Sequence, residues 1–302
     1  MKRTLSTLLL AAVFAMGANA QLLYKISGNG LEKPSYIIGT HHLANVGFVD
    51  KIPGVKDALT ATEQVCGELA WDDVMNPDSL QLLQDKMTLP DGKTLKDVLS
   101  DEEYERLDAH LTEAMGVGLS QPQVFAQMGR LKPVAIVTQL QLLHFMRDHM
   151  GEFDPSSTFD QYFQAQAKKN GDPCIGLETV AFQADLLYDS TPLDRQKQLL
   201  TCFMDNQAFM LKMQNDMTDA YYAQDLDGVQ KAMDEKIGNS CDSSPEETAA
   251  FIDKRNADWL KKMPAIMAAK PTFFAVGAGH LPGDKGVLRL LRDAGYTVEG
   301  VR

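Results

Sequence analysis

Two segments of this chain, more than 230 residues apart, each close a short apolar run with the same signature, G-x-x-H-L: Ser35-Tyr36-Ile37-Ile38-Gly39-Thr40-His41-His42-Leu43 and Thr272-Phe273-Phe274-Ala275-Val276-Gly277-Ala278-Gly279-His280-Leu281. Both runs are aromatic and β-branched, the composition of a buried strand, and each glycine is placed to let the chain turn where the strand stops. A histidine is thereby set just beyond a strand end, twice. Loops beyond the carboxyl ends of strands are where open α/β sheets place ligands and chemistry. The pair predicts one shared site.

The stretch after each motif repeats as well. Val55 to Gln64 and Lys285 to Ala294 read as amphipathic helices, and each leads into an apolar run, Val65-Cys66-Gly67-Glu68-Leu69 and Tyr296-Thr297-Val298-Glu299-Gly300-Val301. A repeated strand, G-x-x-H loop, helix, strand unit implies a sheet with a parallel component. Each unit ends on a glutamate. Glu68 passes into the acidic loop Leu69-Ala70-Trp71-Asp72-Asp73, whereas Glu299 has the setting of a solvated edge-strand residue, so Glu68 is favoured for the site.

The first 20 residues carry Lys2 and Arg3, an apolar run from Leu8 to Met16, and the small-x-small sequence Ala18-Asn19-Ala20, the pattern of a cleaved export signal. The mature chain is then expected to start at Gln21 and to be periplasmic or extracellular. No cysteine follows the cut to carry a lipid, and no later apolar run approaches the roughly 20 residues of a membrane span. Cleavage takes the formal charge from -12 to -14, because two bases and no acid leave with the signal. So acidic a chain is a poor partner for nucleic acid. Its four cysteines, Cys66, Cys174, Cys202 and Cys241, permit two disulfides in an oxidising compartment. Cys66 and Cys174 lie on predicted strands, Cys202 and Cys241 in helical sequence, and 66 with 174 and 202 with 241 is the expected pairing. Without C-x-x-C or C-x-x-H spacing, a cysteine zinc site is disfavoured.

Between the motifs the signal is mostly helical, with start signals at Ser100-Asp101-Glu102-Glu103, Ser157-Thr158-Phe159-Asp160 and Ser244-Pro245-Glu246-Glu247. No linker divides the chain. The reading is an α/β (α+β) protein with a central mixed sheet formed by the N- and C-terminal strand-G-x-x-H-helix-strand units: a signal at 1–20 and a single domain at 21–302, with a large helical insertion at about 76–263. One strand interrupts the helices, Pro173-Cys174-Ile175-Gly176-Leu177-Glu178, and Thr179 caps the helix after it. Glu178 therefore also sits where a strand ends, a position that equally suits electrostatic capping.

His42, His280, Glu68 and Glu178 form a His/carboxylate set suited to a borderline divalent ion, which can polarise a carbonyl and generate hydroxide near neutral pH. His41, adjacent to His42 on extended backbone, points to the opposite face. His110, His144 and His149 lie in helices without an H-E-x-x-H pattern and read as surface or packing residues. Phe251, Arg255 and Trp259 share one helix face, placing a guanidinium on an apolar stripe. It either pairs with a site carboxylate, binds a substrate carboxylate or oxyanion, or extends to solvent. There is no G-x-S-x-G elbow and no phosphate-binding glycine loop.

These residues together resemble the TraB/GumN family, the group that includes the animal TIKI proteins. The resemblance rests on Gly39-Thr40-His41-His42, Glu68, Gly176-Leu177-Glu178-Thr179, Arg255-Asn256 with Trp259, and Val276-Gly277-Ala278-Gly279-His280-Leu281-Pro282-Gly283 with Gly286, an ordered set that spans the mature sequence. It implies a fold related to the erythromycin-esterase-like and ChaN-like proteins, with both G-x-x-H motifs at one site. It further implies a metal-dependent peptidase favouring manganese or cobalt, with a peptide or protein as substrate; the donor set itself also suits zinc. By position, His42 and His280 become metal ligands or catalytic histidines, Glu68 and Glu178 a ligand and a general base in either order, and Arg255 the arginine of the site. The competing readings are a non-catalytic protein that sequesters a peptide, metal or haem, and an esterase on the related fold.

Overall fold

The computed structural model of the chain describes residues 21–150 and 157–302. The export signal expected at 1–20 lies outside the described residues. Six strands form one mixed sheet: β1 (Leu23–Ser27), β2 (Ser35–Thr40), β3 (Gln64–Gly67), β4 (Cys174–Gly176), β5 (Thr272–Gly277) and β6 (Thr297–Gly300), in the order β4-β3-β5-β2-β1-β6. The neighbours β2/β5, β3/β5 and β3/β4 are parallel, and β1 is antiparallel to β2 and β6.

The two repeated units meet at the centre of the sheet. Their first strands, β2 and β5, lie side by side with Gly39 opposite Val276 and Thr40 opposite Gly277. From there one unit steps outward through the Val55–Thr60 helix to β3, and the other through the Val287–Asp293 helix to β6. Both helices are shorter than the amphipathic pattern suggests. The apolar run of β5 is buried along almost its whole length, as a central parallel strand should be. On β6, by contrast, Glu299 is exposed at the sheet edge opposite Lys25. That removes it from any site and leaves Glu68. Sequence reading missed β1, whose short, partly exposed run carries little periodic signal and gains its place by pairing on both sides.

One apolar core packs on the sheet, joining Ile37, Ile38, Phe273 and Phe274 to Phe159, Phe163, Tyr221, Trp259 and Met263 from surrounding helices. A second core lies wholly within the helical region, around Leu95, Leu107, Leu111, Ile136, Leu140, Leu200 and Phe203. The predicted caps at Ser100 and Ser244 each close a capping box, whereas the remaining helix start falls one residue later than the Ser157–Asp160 signal, with Thr158 as cap and Gln161 as its reciprocal partner.

Cys202 and Cys241 form a disulfide, but Cys66 and Cys174 are free, against the expected pairing. The sheet register gives the reason. Cys174 lies opposite Val65, and Cys66 opposite Ile175, so the two thiols are one residue out of step and project from opposite faces. Burial pushes the Cys66 thiol up to about 12, as befits a small packed hydrophobe.

Candidate active site

The site is assembled where β2, β3, β4 and β5 end. Past their last paired residues, β3 and β4 stay zipped through Leu177 N–H to Gly67 O at 3.0 Å and Glu178 N–H to Glu68 O at 2.9 Å. This brings both glutamates to one spot. The loop after Glu68 is held by Gln164, whose amide donates to Leu69 O at 2.9 Å and accepts from Trp71 N at 2.8 Å.

The motif glycines act differently from the sequence expectation. Neither Gly39 nor Gly277 has a positive φ. What each requires is the absence of a side chain. A Cβ on Gly39 would sit 3.0 Å from the Ala278 Cα, so glycine lets the first motif strand approach the second motif loop. A Cβ on Gly277 would sit 3.2 Å from Glu68 Oε1, the atom that the Gly277 N–H reaches at 2.8 Å.

Arg255 stands at the centre, 8 % exposed. The Lys254–Ala269 helix that carries it follows a π-helical segment, Ala249–Asp253, in which Lys254 N–H bonds back to Ala249 O. Such bulges are frequent at functional positions. All five guanidinium N–H groups are used: Nε donates to Glu178 Oε1 at 2.8 Å, Nη2 to Glu178 Oε2 at 2.8 Å and Glu68 Oε2 at 2.6 Å, and Nη1 to Phe251 O at 3.2 Å and His280 Nε2 at 2.9 Å. Of the readings open to Arg255, pairing with site carboxylates is the one observed. No N–H is left in this arrangement for a substrate oxyanion.

Glu178 is as fully committed. Its Oε1 also accepts from Trp259 Nε1 at 2.7 Å and its Oε2 from Gln183 Nε2 at 2.8 Å, which fills all four lone-pair positions. Glu68 Oε2 takes a second bond, from Gln183 at 3.2 Å, while among the described residues Oε1 accepts only the Gly277 N–H and keeps one lone pair. Burial works against the charged form of Glu68, but His280, Arg255, His42 and the Gly277 N–H outweigh it and hold its pKa down at about 2. Arg255 is the member of that group that carries charge at every relevant pH.

The two motif histidines sit in contrasting surroundings. His280 is buried against Trp259, with ring centroids 4.4 Å apart, and its Nδ1 lies 2.7 Å from Asn256 Oδ1. Burial lowers its pKa to about 4, so the ring is neutral. The His42 side chain is 71 % exposed, with Nδ1 2.7 Å from Asp160 Oδ2. Asp160 is itself held by the Thr40 hydroxyl at 3.0 Å. Its charge raises His42 to about 9, and Glu68 adds to the effect. His42 Nε2 has no partner among the described residues. His41 points the other way, as expected: it is buried, accepts from Leu43 N–H at 3.1 Å and lies 3.3 Å from Thr218 Oγ1. His144 is buried in helix packing and His149 contacts Asn215, so neither joins the site.

Among the described residues, no group of three or more His, Cys, Asp or Glu side chains is arranged to hold a metal ion. The available donors fit one more narrowly. Glu68 Oε1 and His280 Nε2 are 3.9 Å apart, within reach of a single ion at ligand distances of about 2.1 Å. Glu68 has the free lone pair; the one on His280 Nε2 accepts from Arg255 Nη1, a bond that a bound ion would have to displace. A carboxylate oxygen with an imidazole nitrogen is the donor chemistry of a borderline divalent ion. Glu178, with every lone pair filled, does not fit such a role as arranged.

Sequence reading missed Asp160, Gln183 and the side-chain role of Asn256. Asp160 was visible only as part of a helix start signal, and nothing local ties residue 160 to residue 42.

A mixed sheet whose two central parallel strands each end in a G-x-x-H loop, with both loops facing a buried arginine–carboxylate network, defines an α/β protein of double G-x-x-H type. The chain belongs to the TraB/PrgY/gumN family, whose model matches residues 22–300. It is similar to metalloprotease TIKI2 of Danio rerio, 26 % identical over 88 % of this chain and 58 % of the relative. It is also similar to metalloprotease TIKI1 of Homo sapiens, 27 % identical over 89 % of this chain and 60 % of the relative. The metalloprotease TIKI homolog of Nematostella vectensis is 22 % identical over 89 % of this chain and 65 % of its own length. The chain thus spans about three-fifths of the length of the curated relatives it matches. No solved structure matches it significantly.

Proposed function

We propose that the chain is an exported hydrolase that cleaves peptide bonds in peptide or protein substrates. The observation that carries this reading is the pairing of two groups at one site: the Glu68 carboxylate, with a lone pair free on Oε1 among the described residues, and the His42 ring, held through Nδ1 by Asp160 with Nε2 unpartnered among the described residues. At neutral pH Glu68 is ionised and His42 protonated, so an acceptor and a proton donor belong to one site. Asp160 orients His42 and keeps its proton, so that Nε2–H is placed to protonate a leaving amine. Arg255 and the Gly277 N–H keep Glu68 in its ionised form. Arg255 and Trp259 hold Glu178 beside it as scaffold, which limits how far the Glu68 carboxylate can turn.

The relatives' name, metalloprotease, supports a divalent ion. Glu68 and His280 would hold it, and when bound such an ion polarises a carbonyl and acidifies water. Export is supported by the leader pattern and by the disulfide between Cys202 and Cys241. Among the described residues no helix is long and apolar enough to cross a membrane.

The test is a peptide library digested by the mature chain with manganese, cobalt, zinc or chelator, and read by mass spectrometry. Cleavage that is lost in both Glu68→Gln and His42→Gln is expected. Binding of peptide or ion without cleavage would replace this reading with sequestration, and turnover of small esters alone would replace it with an esterase.

A further inference from the structure

We propose that Asn256 is a positioning residue that fixes the tautomer of His280, so that an unprotonated Nε2 faces Glu68. Asn256 is fully buried, and both of its amide hydrogens are spent on carbonyls, those of His280 at 3.2 Å and Lys285 at 2.9 Å. The network therefore settles which end of the amide is oxygen. That oxygen, Oδ1, lies 2.7 Å from His280 Nδ1, and two acceptors cannot bond, so Nδ1 carries the hydrogen. The opposite side of the ring gives the same answer independently. Arg255 Nη1 can only donate, and it points at Nε2 from 2.9 Å.

Consecutive residues of one helix thus address the two nitrogens of one ring, Asn256 accepting and Arg255 donating, while Trp259 packs on its face. His42 has a matching arrangement with a carboxylate in place of the amide. A neutral partner suits His280, because a carboxylate at this depth would compete for Arg255 and draw a second proton onto the ring. That Nε2 then serves an ion rests on the hydrolase reading above; the tautomer does not.

The experiment is long-range proton–nitrogen NMR of the full mature chain, disulfide intact and labelled with 15N-histidine, near neutral pH. His280 signals are assigned by their loss in His280→Gln. The expected result is a neutral ring protonated at Nδ1 in the wild type, Nδ1 still protonated in Asn256→Asp, which keeps the acceptor, and an Nε2–H form emerging in Asn256→Leu. An Nε2–H ring in the wild type, loss of Nδ1–H in Asn256→Asp, or an unchanged tautomer in folded Asn256→Leu would each overturn the proposal. If Asn256→Leu does not fold, the first two results decide.

Titration with manganese chloride by calorimetry separates the two readings. Wild-type binding weakened by about 10–100-fold in Asn256→Leu supports positioning of a ligand. No binding by a wild type that shows the Nδ1–H ring supports the tautomer assignment and counts against the ion.

Discussion

Arg255 compensates two carboxylates that are nearly dry, with side chains 15 % exposed at Glu68 and 4 % at Glu178. Removing one partner of a buried ion pair strands the other, which costs about 3–5 kcal/mol. Arg255→Met is therefore expected to lower the free energy of unfolding by that amount, read from a reduced urea midpoint. Arg255→Lys, which keeps the charge but not the fork, should fall between. A Met variant within about 1 kcal/mol of wild type in urea unfolding would show that the network does not hold the fold. His41 sets a second expectation. Burial lowers its pKa from 6.5 to about 4, so between those values the unfolded chain binds a proton that the folded chain refuses. Its contribution is complete above about pH 6.5 and is lost as pH falls through about 4, on the order of 3 kcal/mol. His42 works in the opposite sense, giving stability below 6.5 that fades as pH rises through about 9, but its exposure leaves that part screened. Urea midpoints at several pH values should fall on acidification, and less so in His41→Gln. Equal slopes for the two proteins would rule out His41 as the source.

At the scale of elements, contact between the two motifs depends on a glycine. Gly39→Ala would press a methyl against the Ala278 backbone at 3.0 Å, where backbone has little room to give. Overpacking of this kind costs about 1–3 kcal/mol, to be read as a lowered thermal midpoint. An unchanged midpoint would mean that the loops separate freely. The Cys202–Cys241 bridge ties the Leu193–Asp205 helix to the loop ahead of the Arg255 helix, and the ion pair between Arg195 and Glu247 at 2.9 Å joins the same two regions. Reducing the bridge should lower stability by about 2–4 kcal/mol. Thiol titration of the unfolded, unreduced chain should count two cysteines; four would deny the bridge. In the native chain Cys66 should stay unreactive.

For the molecule as a whole, sequence pattern revealed what is local and repeated. The two G-x-x-H strands, the helices after them, the strand ahead of Glu178 and the capping boxes all carry periodicity or spacing that one segment displays alone. The four residues His280, Glu68, Glu178 and Arg255 are brought together as the pattern suggests, with His42 beside them. Register and side-chain partnership were not legible. Cys66 and Cys174 are on neighbouring strands, yet a one-residue offset parts them, and strand identity alone does not encode that offset. Asp160 and Asn256 select a nitrogen on each histidine through contacts that span 118 and 24 residues of sequence. The second apolar core within the helical region is likewise a property of packing, since its leucines are spaced like any amphipathic helix.

The position of β5 between β2 and β3 has a consequence for biosynthesis. Each of those strands pairs with β5 and not with the other, so a nascent chain that has emerged only through the helical region holds two half-sheets with open inner edges. The helical core, built from contacts within itself, can form earlier. The strand that joins the halves also delivers His280, so sheet closure and completion of the site are the same event. Until β5 has emerged, His280 cannot meet Glu68 and Arg255, however early the helical core forms.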